Sequence, residues 1–148
     1  MPEARYVTVQ FCDDIRQEVG NKYTLVGCYG PSMLLSAMPV VLPKLCAFVR
    51  IYTPVNRPFA KLSIRVLRGD QLLTEMEIPQ EVLASISAVG HLAGENIVMV
   101  GSGLAISPLP IEEPCTLRIE VDTDAGLLKG GALRIERTST PYAHQAAP

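Results

Sequence analysis

The chain has 148 residues, 48% of them hydrophobic, with 13 Lys and Arg against 15 Asp and Glu and a formal charge of -2. A chain of that length suits one domain, able to bury ~70% of the surface that its unfolded form exposes. No basic stripe is present to neutralise phosphates, and with no Trp, three Phe and five Tyr, stacking platforms are scarce, so neither nucleic acids nor sugars are expected as partners.

Cysteines stand at 12, 28, 46 and 115 without a C-x-x-C spacing, which excludes a zinc knuckle or a thiol-exchange motif by sequence and reads as small apolar fillers in a reducing compartment. The start, MPEARYVTVQ, lacks the basic and apolar regions of a secretion signal. The uncharged run from Gly30 to Pro43 is broken by three prolines and two serines, unlike a spanning helix of ~20 apolar residues. The expectation is a cytoplasmic protein with no membrane segment.

In chain order, Val7 to Phe11 alternates apolar and polar residues, as a strand with one face on a core does. From Phe11 to Tyr29 the pattern predicts a β-hairpin turning at Gly20-Asn21. Cys46 to Tyr52 is more apolar throughout and suits a central strand, closed off by Pro54 and Pro58. Lys61 to Arg68 alternates again, turns at Gly69-Asp70, and leads into Leu72 to Ile78. A single helix is predicted over Gln80 to Val89, with Val82, Ile86 and Val89 on one face and Pro79 as its boundary. Ile97 to Val100 leads through Gly101-Ser102-Gly103 into Leu104 to Ile106. Thr116 to Asp122 and Leu133 to Glu136 are strands separated by a loop from Asp122 to Gly131.

Together these elements predict an all-β fold: a two-layer antiparallel β-sandwich, immunoglobulin-like or C2-like, of seven or eight strands with one short inserted helix. A closed barrel has the same strand spacing and is the rival. The domain spans residues 1–138, and STPYAHQAAP, residues 139–148, has no apolar period and reads as a flexible tail.

Asp13, Asp14, Arg16 and Glu18 form the densest ionisable cluster. Alternation from Phe11 would turn Asp13 toward the core, where an unpaired carboxylate is costly, so a bulge or bend is expected there, with a carboxylate bonding backbone amides or Arg16. The sharper alternative is a calcium site shared with Asp122 and Asp124, although that loop lacks the late Glu of a calcium loop. A small hydrolase would need His91, the sole histidine before the tail, beside Ser102 or a cysteine; G-x-S-x-G is absent. Lys129-Gly130-Gly131 is no phosphate loop and reads as flexible backbone. No catalytic residue, metal or cofactor is assigned.

The segment from Pro31 to Pro43 is too apolar for a solvent-facing connection and does not fit a regular strand. It either crosses over to seal the core or presents Met33, Leu34, Leu35 and Met38 to a protein partner or a second copy. The pattern F-x-D-D-I-R-x-E-x-G-x-K-x-x-L-x-G from Phe11 to Gly27, followed by Leu42-Pro43-Lys44-Leu45, resembles a family of small bacterial proteins known as a domain of unknown function. The resemblance implies a shared β-sandwich and carries no chemistry across. The expected function is a non-catalytic interaction or structural module, self-associating or partner-binding.

Overall fold

The computed structural model describes residues 4–89, 92, 94 and 96–139, and among these it contains eleven strands and one helix. They are β1 (Tyr6–Glu18), β2 (Lys22–Cys28), β3 (Ser32–Leu35), β4 (Val40–Leu42), β5 (Leu45–Pro54), β6 (Leu62–Arg68), β7 (Gln71–Glu77), α1 (Gln80–Val89), β8 (Ile97–Ile106), β9 (Leu109–Ile111), β10 (Cys115–Thr123) and β11 (Gly126–Arg137). One sheet has the order β2-β1-β5-β8 and the other β3-β11-β10-β6-β7, while β4 and β9 form a small ribbon. Neither large sheet closes on itself, so the architecture is an all-β sandwich and not a barrel.

Alternation builds the core. Leu45, Ala47, Val49 and Ile51 of β5 meet Leu62, Ile64 and Val66 of β6, Leu117, Ile119 and Val121 of β10, and Leu133 and Ile135 of β11, all buried in one cluster. Eight strands match the runs read from the sequence. The three further strands, β3, β4 and β9, have only four, three and three residues, too few for a period of two to register. Two of them lie in the segment from Pro31 to Pro43, where no regular strand was expected. β3 pairs in parallel with β11, the exception in an otherwise antiparallel set.

The helix is found where predicted, begun by the Pro79 carbonyl, which accepts the amides of Val82 and Leu83. Its buried face differs: Leu83 is in the core and Val82 is 40% exposed.

The connection between β10 and β11 also differs from the expected loop. A tight turn at Asp124-Ala125-Gly126, with Gly126 at φ +119°, is followed at once by strand. Gly130 and Gly131 lie in that strand, at a register shift opposite Ile119. A Cβ on Gly130 would stand 3.0 Å from Val9 Cγ2 and 3.1 Å from the Ile119 carbonyl oxygen. The glycines are a bulge that lets β11 of one sheet close on β1 of the other, which corrects the flexible-backbone reading.

At the end where β1 begins, Arg5 clasps the layers together. Its guanidinium donates to Asp124 and to the carbonyls of Arg57 and Pro58, its Nε donates to Thr53 Oγ1, and it sits 4.4 Å from the centre of the Phe59 ring. The planar fork of arginine reaches these acceptors simultaneously, which the point charge of a lysine would not.

Candidate functional site

Even-numbered residues of β5 point away from the core, yet Cys46 and Phe48 are only 3% and 4% exposed. Their cover is the β1–β2 hairpin. β1 pairs with β5 from Tyr6 as far as Cys12 opposite Cys46, and beyond that point it pairs with β2 alone. The freed hairpin folds over the outer face of the β5–β8 pair. Tyr23 packs on Phe48 with ring centres 4.9 Å apart, and Arg50 covers the same ring at 4.8 Å. A Cβ on Gly103 of β8 would stand 3.1 Å from Ile15 Cδ1, so the absence of a side chain there makes room for the hairpin.

The motif residues hold this fold-over. Gly27 is at φ +67°, a conformation that an L side chain adopts at a cost, and Asp13 occupies the space that a side chain on residue 27 would need. The Tyr29 hydroxyl donates to Asp13 Oδ1 at 2.5 Å. Lys44 Nζ lies 2.5 Å from Asp14 Oδ1, with Arg16 Nε at 3.7 Å from the other carboxylate oxygen. The Lys44 hydrogen bond holds the Asp14 carboxyl below the usual carboxylate range and raises the Lys44 ammonium in return. Near the tip, Thr24 Oγ1 donates to Glu18 at 2.7 Å, and Gly20 and Asn21 make the turn at φ +92° and +60°.

Asp13 is therefore exposed and not turned to the core. The register runs unbroken from Cys12 opposite Cys28 to Asp14 opposite Val26, so the expected irregularity is a bend carried by Gly27, without a bulge. Phe11 and Cys12 are both buried because Phe11 faces the core and Cys12 the hairpin-covered side.

Between the hairpin and β8 lies a cleft of about 390 Å³, lined by Asp14, Gln17, Tyr23, Lys44, Ser102 and Leu104 among others. Its charged groups already neutralise one another. The histidine that a Ser102 nucleophile would need, His91, lies outside the described residues.

The acids proposed for calcium are apart in the fold and separately paired. Asp14 is on β1 with Lys44; Asp122 of β10 meets Lys61 at 2.9 Å and Arg65 at 3.5 Å, and Asp124 meets Arg5 at 3.1 Å. Among the described residues no group of three or more His, Cys, Asp or Glu is placed to hold a metal ion.

The proposed contact residues are divided by the pairing of β3 with β11. Met33, opposite Ile135, is 3% exposed and belongs to the core, which removes it as a contact side chain. Leu35 and Met38 are half-buried and pack against that core, and Leu34, beside Glu136, is 40% exposed. One exposed leucine is ordinary surface and makes no patch.

Two features escaped sequence reasoning. The first is the place of β8, whose run was read but not its position: these ten residues without a charge, IVMVGSGLAI, form the outer edge of the sheet. The uncharged run was its signal. The second is a row of cysteines across three adjacent strands, Cys28 opposite Cys12 and Cys12 opposite Cys46. Cys12 and Cys28 are equally distant from the hairpin turn at Gly20, so the predicted hairpin already aligned them.

Among the described residues no helix is long and apolar enough to cross a membrane. No family model and no curated protein matches the chain.

Proposed function

We propose that the protein is a non-catalytic β-sandwich module that associates with a second copy of itself through β8. The observation that supports this is a long sheet edge without a charged residue. Folded monomers protect their edges with short strands, charges or bulges. β3 is only four residues long; β7 carries Glu75 and Glu77 and a register irregularity against β6; β2 carries Lys22 and is bent at Gly27. β8 has ten residues, no charge and, among the described residues, no strand paired to its outer side, although α1 packs against it and the Leu92 amide donates to the Ile97 carbonyl at its start.

A second copy suits this edge because the strand is self-complementary. Antiparallel pairing of two β8 strands about Ser102 sets Gly101 opposite Gly103, Val100 opposite Leu104, Met99 opposite Ala105 and Val98 opposite Ile106. No like charges face each other, as they would in a symmetric pair of charged strands. Val98 and Val100 are core residues, and Leu104 and Ile106 pack against the core, so pairing would extend the apolar interior across the two-fold axis.

In this reading the motif from Phe11 to Gly27 is architectural. It holds the hairpin over the β5–β8 face, and its resemblance to the small bacterial proteins supports a common fold-over with them. Four free thiols support a reducing compartment such as the cytoplasm.

Light scattering after size exclusion tests the proposal. A dimer is expected for the native chain and a monomer for Ala105→Lys, which puts a charge at an exposed edge position. A native monomer at every concentration, or an Ala105→Lys variant that dimerises as well as the native chain, would overturn it.

A further inference from the structure

We infer that Cys12 and Cys28 form a reversible thiol–disulfide site, in which exposed Cys28 takes the oxidant and buried Cys12 resolves it. The argument begins with backbone pairing. The Tyr29 amide donates to the Phe11 carbonyl at 2.9 Å, which makes residues 11 and 29 a hydrogen-bonded pair. The neighbouring pair, Cys12 and Cys28, is then non-hydrogen-bonded, the kind in which directly opposed Cα atoms approach to about 4.5 Å and side chains lie closest. A disulfide spans Cα separations of about 4.4–6.8 Å, a range that pairs of this kind fall within.

Access divides the roles. Cys28 is exposed and lines a surface hollow of about 430 Å³ with Tyr29, Ser32 and Leu34, which a small oxidant can enter. Cys12 is 0% exposed. Burial, with smaller contributions from the neighbouring thiols, pushes Cys12 up to about 11, while the Asp14 amide donates to its sulfur and opposes that rise. Cys12 is thereby kept from the oxidant until an electrophilic sulfur appears beside it.

The chemistry balances with a peroxide as oxidant. The Cys28 thiolate attacks one peroxide oxygen, the O–O bond breaks, and Cys28 becomes a sulfenic acid with hydroxide as the leaving group. The Cys12 sulfur then attacks the Cys28 sulfur, the S–O bond breaks, and the departing hydroxide takes the Cys12 proton to leave water. Two thiols lose two electrons to one peroxide, which ends as two waters. Cys46 stands on the other side of Cys12, 3% exposed and across a hydrogen-bonded pair, and is a spectator in this step.

The test treats the full chain with hydrogen peroxide, blocks remaining thiols under denaturant, and maps the peptides. A Cys12–Cys28 link that a reducing agent removes is expected in the native chain and in Cys46→Ser and Cys115→Ser, with no intrachain link in Cys28→Ser. Cys28 advancing to sulfinic acid while Cys12 stays alkylatable would overturn the inference, as would a link between two chains through Cys28. Loss of the link in Cys46→Ser would overturn the assignment of partners.

Discussion

Ile15 of the hairpin lies against Gly103 of the edge strand, with its Cδ1 3.1 Å from where a glycine Cβ would stand. The contact is with the far end of a flexible side chain, so a methyl group can be accommodated by a small shift of Ile15. Gly103→Ala is expected to change stability by no more than about 1 kcal/mol, since the strand gains from losing a glycine what it loses in crowding. Gly103→Val is expected to lift the hairpin and cost about 1–3 kcal/mol by overpacking. Urea denaturation followed by circular dichroism separates the two, and equal stability of Gly103→Val and the native chain would refute the fold-over as drawn.

Gly27 presents a harder constraint. It combines φ +67° with an Asp13 carboxylate oxygen 2.2 Å from the position of a Cβ. Gly27→Ala is expected to cost more than Gly103→Ala, at least the ~1–2 kcal/mol of the left-handed backbone alone. Adding Asp13→Ala should recover the steric part and not the backbone part. Additive effects of the two substitutions in a double-mutant cycle would show that Asp13 does not fill the glycine's space.

Four carboxylates give the fold an acid limit. Asp14 is held low by Lys44, Glu75 by Arg65 and then Ser63, and Asp122 by Lys61; at Asp124 burial opposes, but Arg5 and the Ala60 amide outweigh it. A carboxylate with a depressed folded value contributes its full stabilisation above its unfolded value of about 4, and that contribution disappears as pH falls through the folded value. Lys44 behaves oppositely: its raised value stabilises fully below about 10.4 and is lost as pH rises through the folded value. The urea midpoint should therefore decline at both extremes. Asp14→Asn should flatten both limbs, because the same hydrogen bond shifts Asp14 and Lys44. An alkaline limb unchanged in Asp14→Asn would contradict the pairing.

The large strands were legible because each exposes a clean alternation to the reader: Leu62, Ile64 and Val66, or Leu117, Ile119 and Val121, against charged neighbours. The short strands were not, because three or four residues contain no full period and their pairing is set by what the longer strands leave uncovered. Asp13 shows how alternation misleads. The strand leaves its neighbour after Cys12, so the count of inward and outward positions made from Phe11 no longer applies two residues later. Met33 misled for a related reason: an apolar segment between prolines gives no sign of which of its side chains will line up with Ile135 inside. Gly130 and Gly131 read as looseness in sequence and, like Gly101 and Gly103, serve close packing in the fold, a distinction that depends on which strand arrives from another part of the chain.

Gly130 and Gly131 join the two sheets on one flank, where Val9 presses onto β11, and on the opposite flank α1 runs between β7 and β8 with Leu83 in the core. The molecule is built like a book, stitched along the spine and held at the fore-edge by a single clasp. If the clasp is the lighter fastening, amide protection against solvent exchange would rise from there toward the spine, and whatever grips β8 would steady the whole volume from that side.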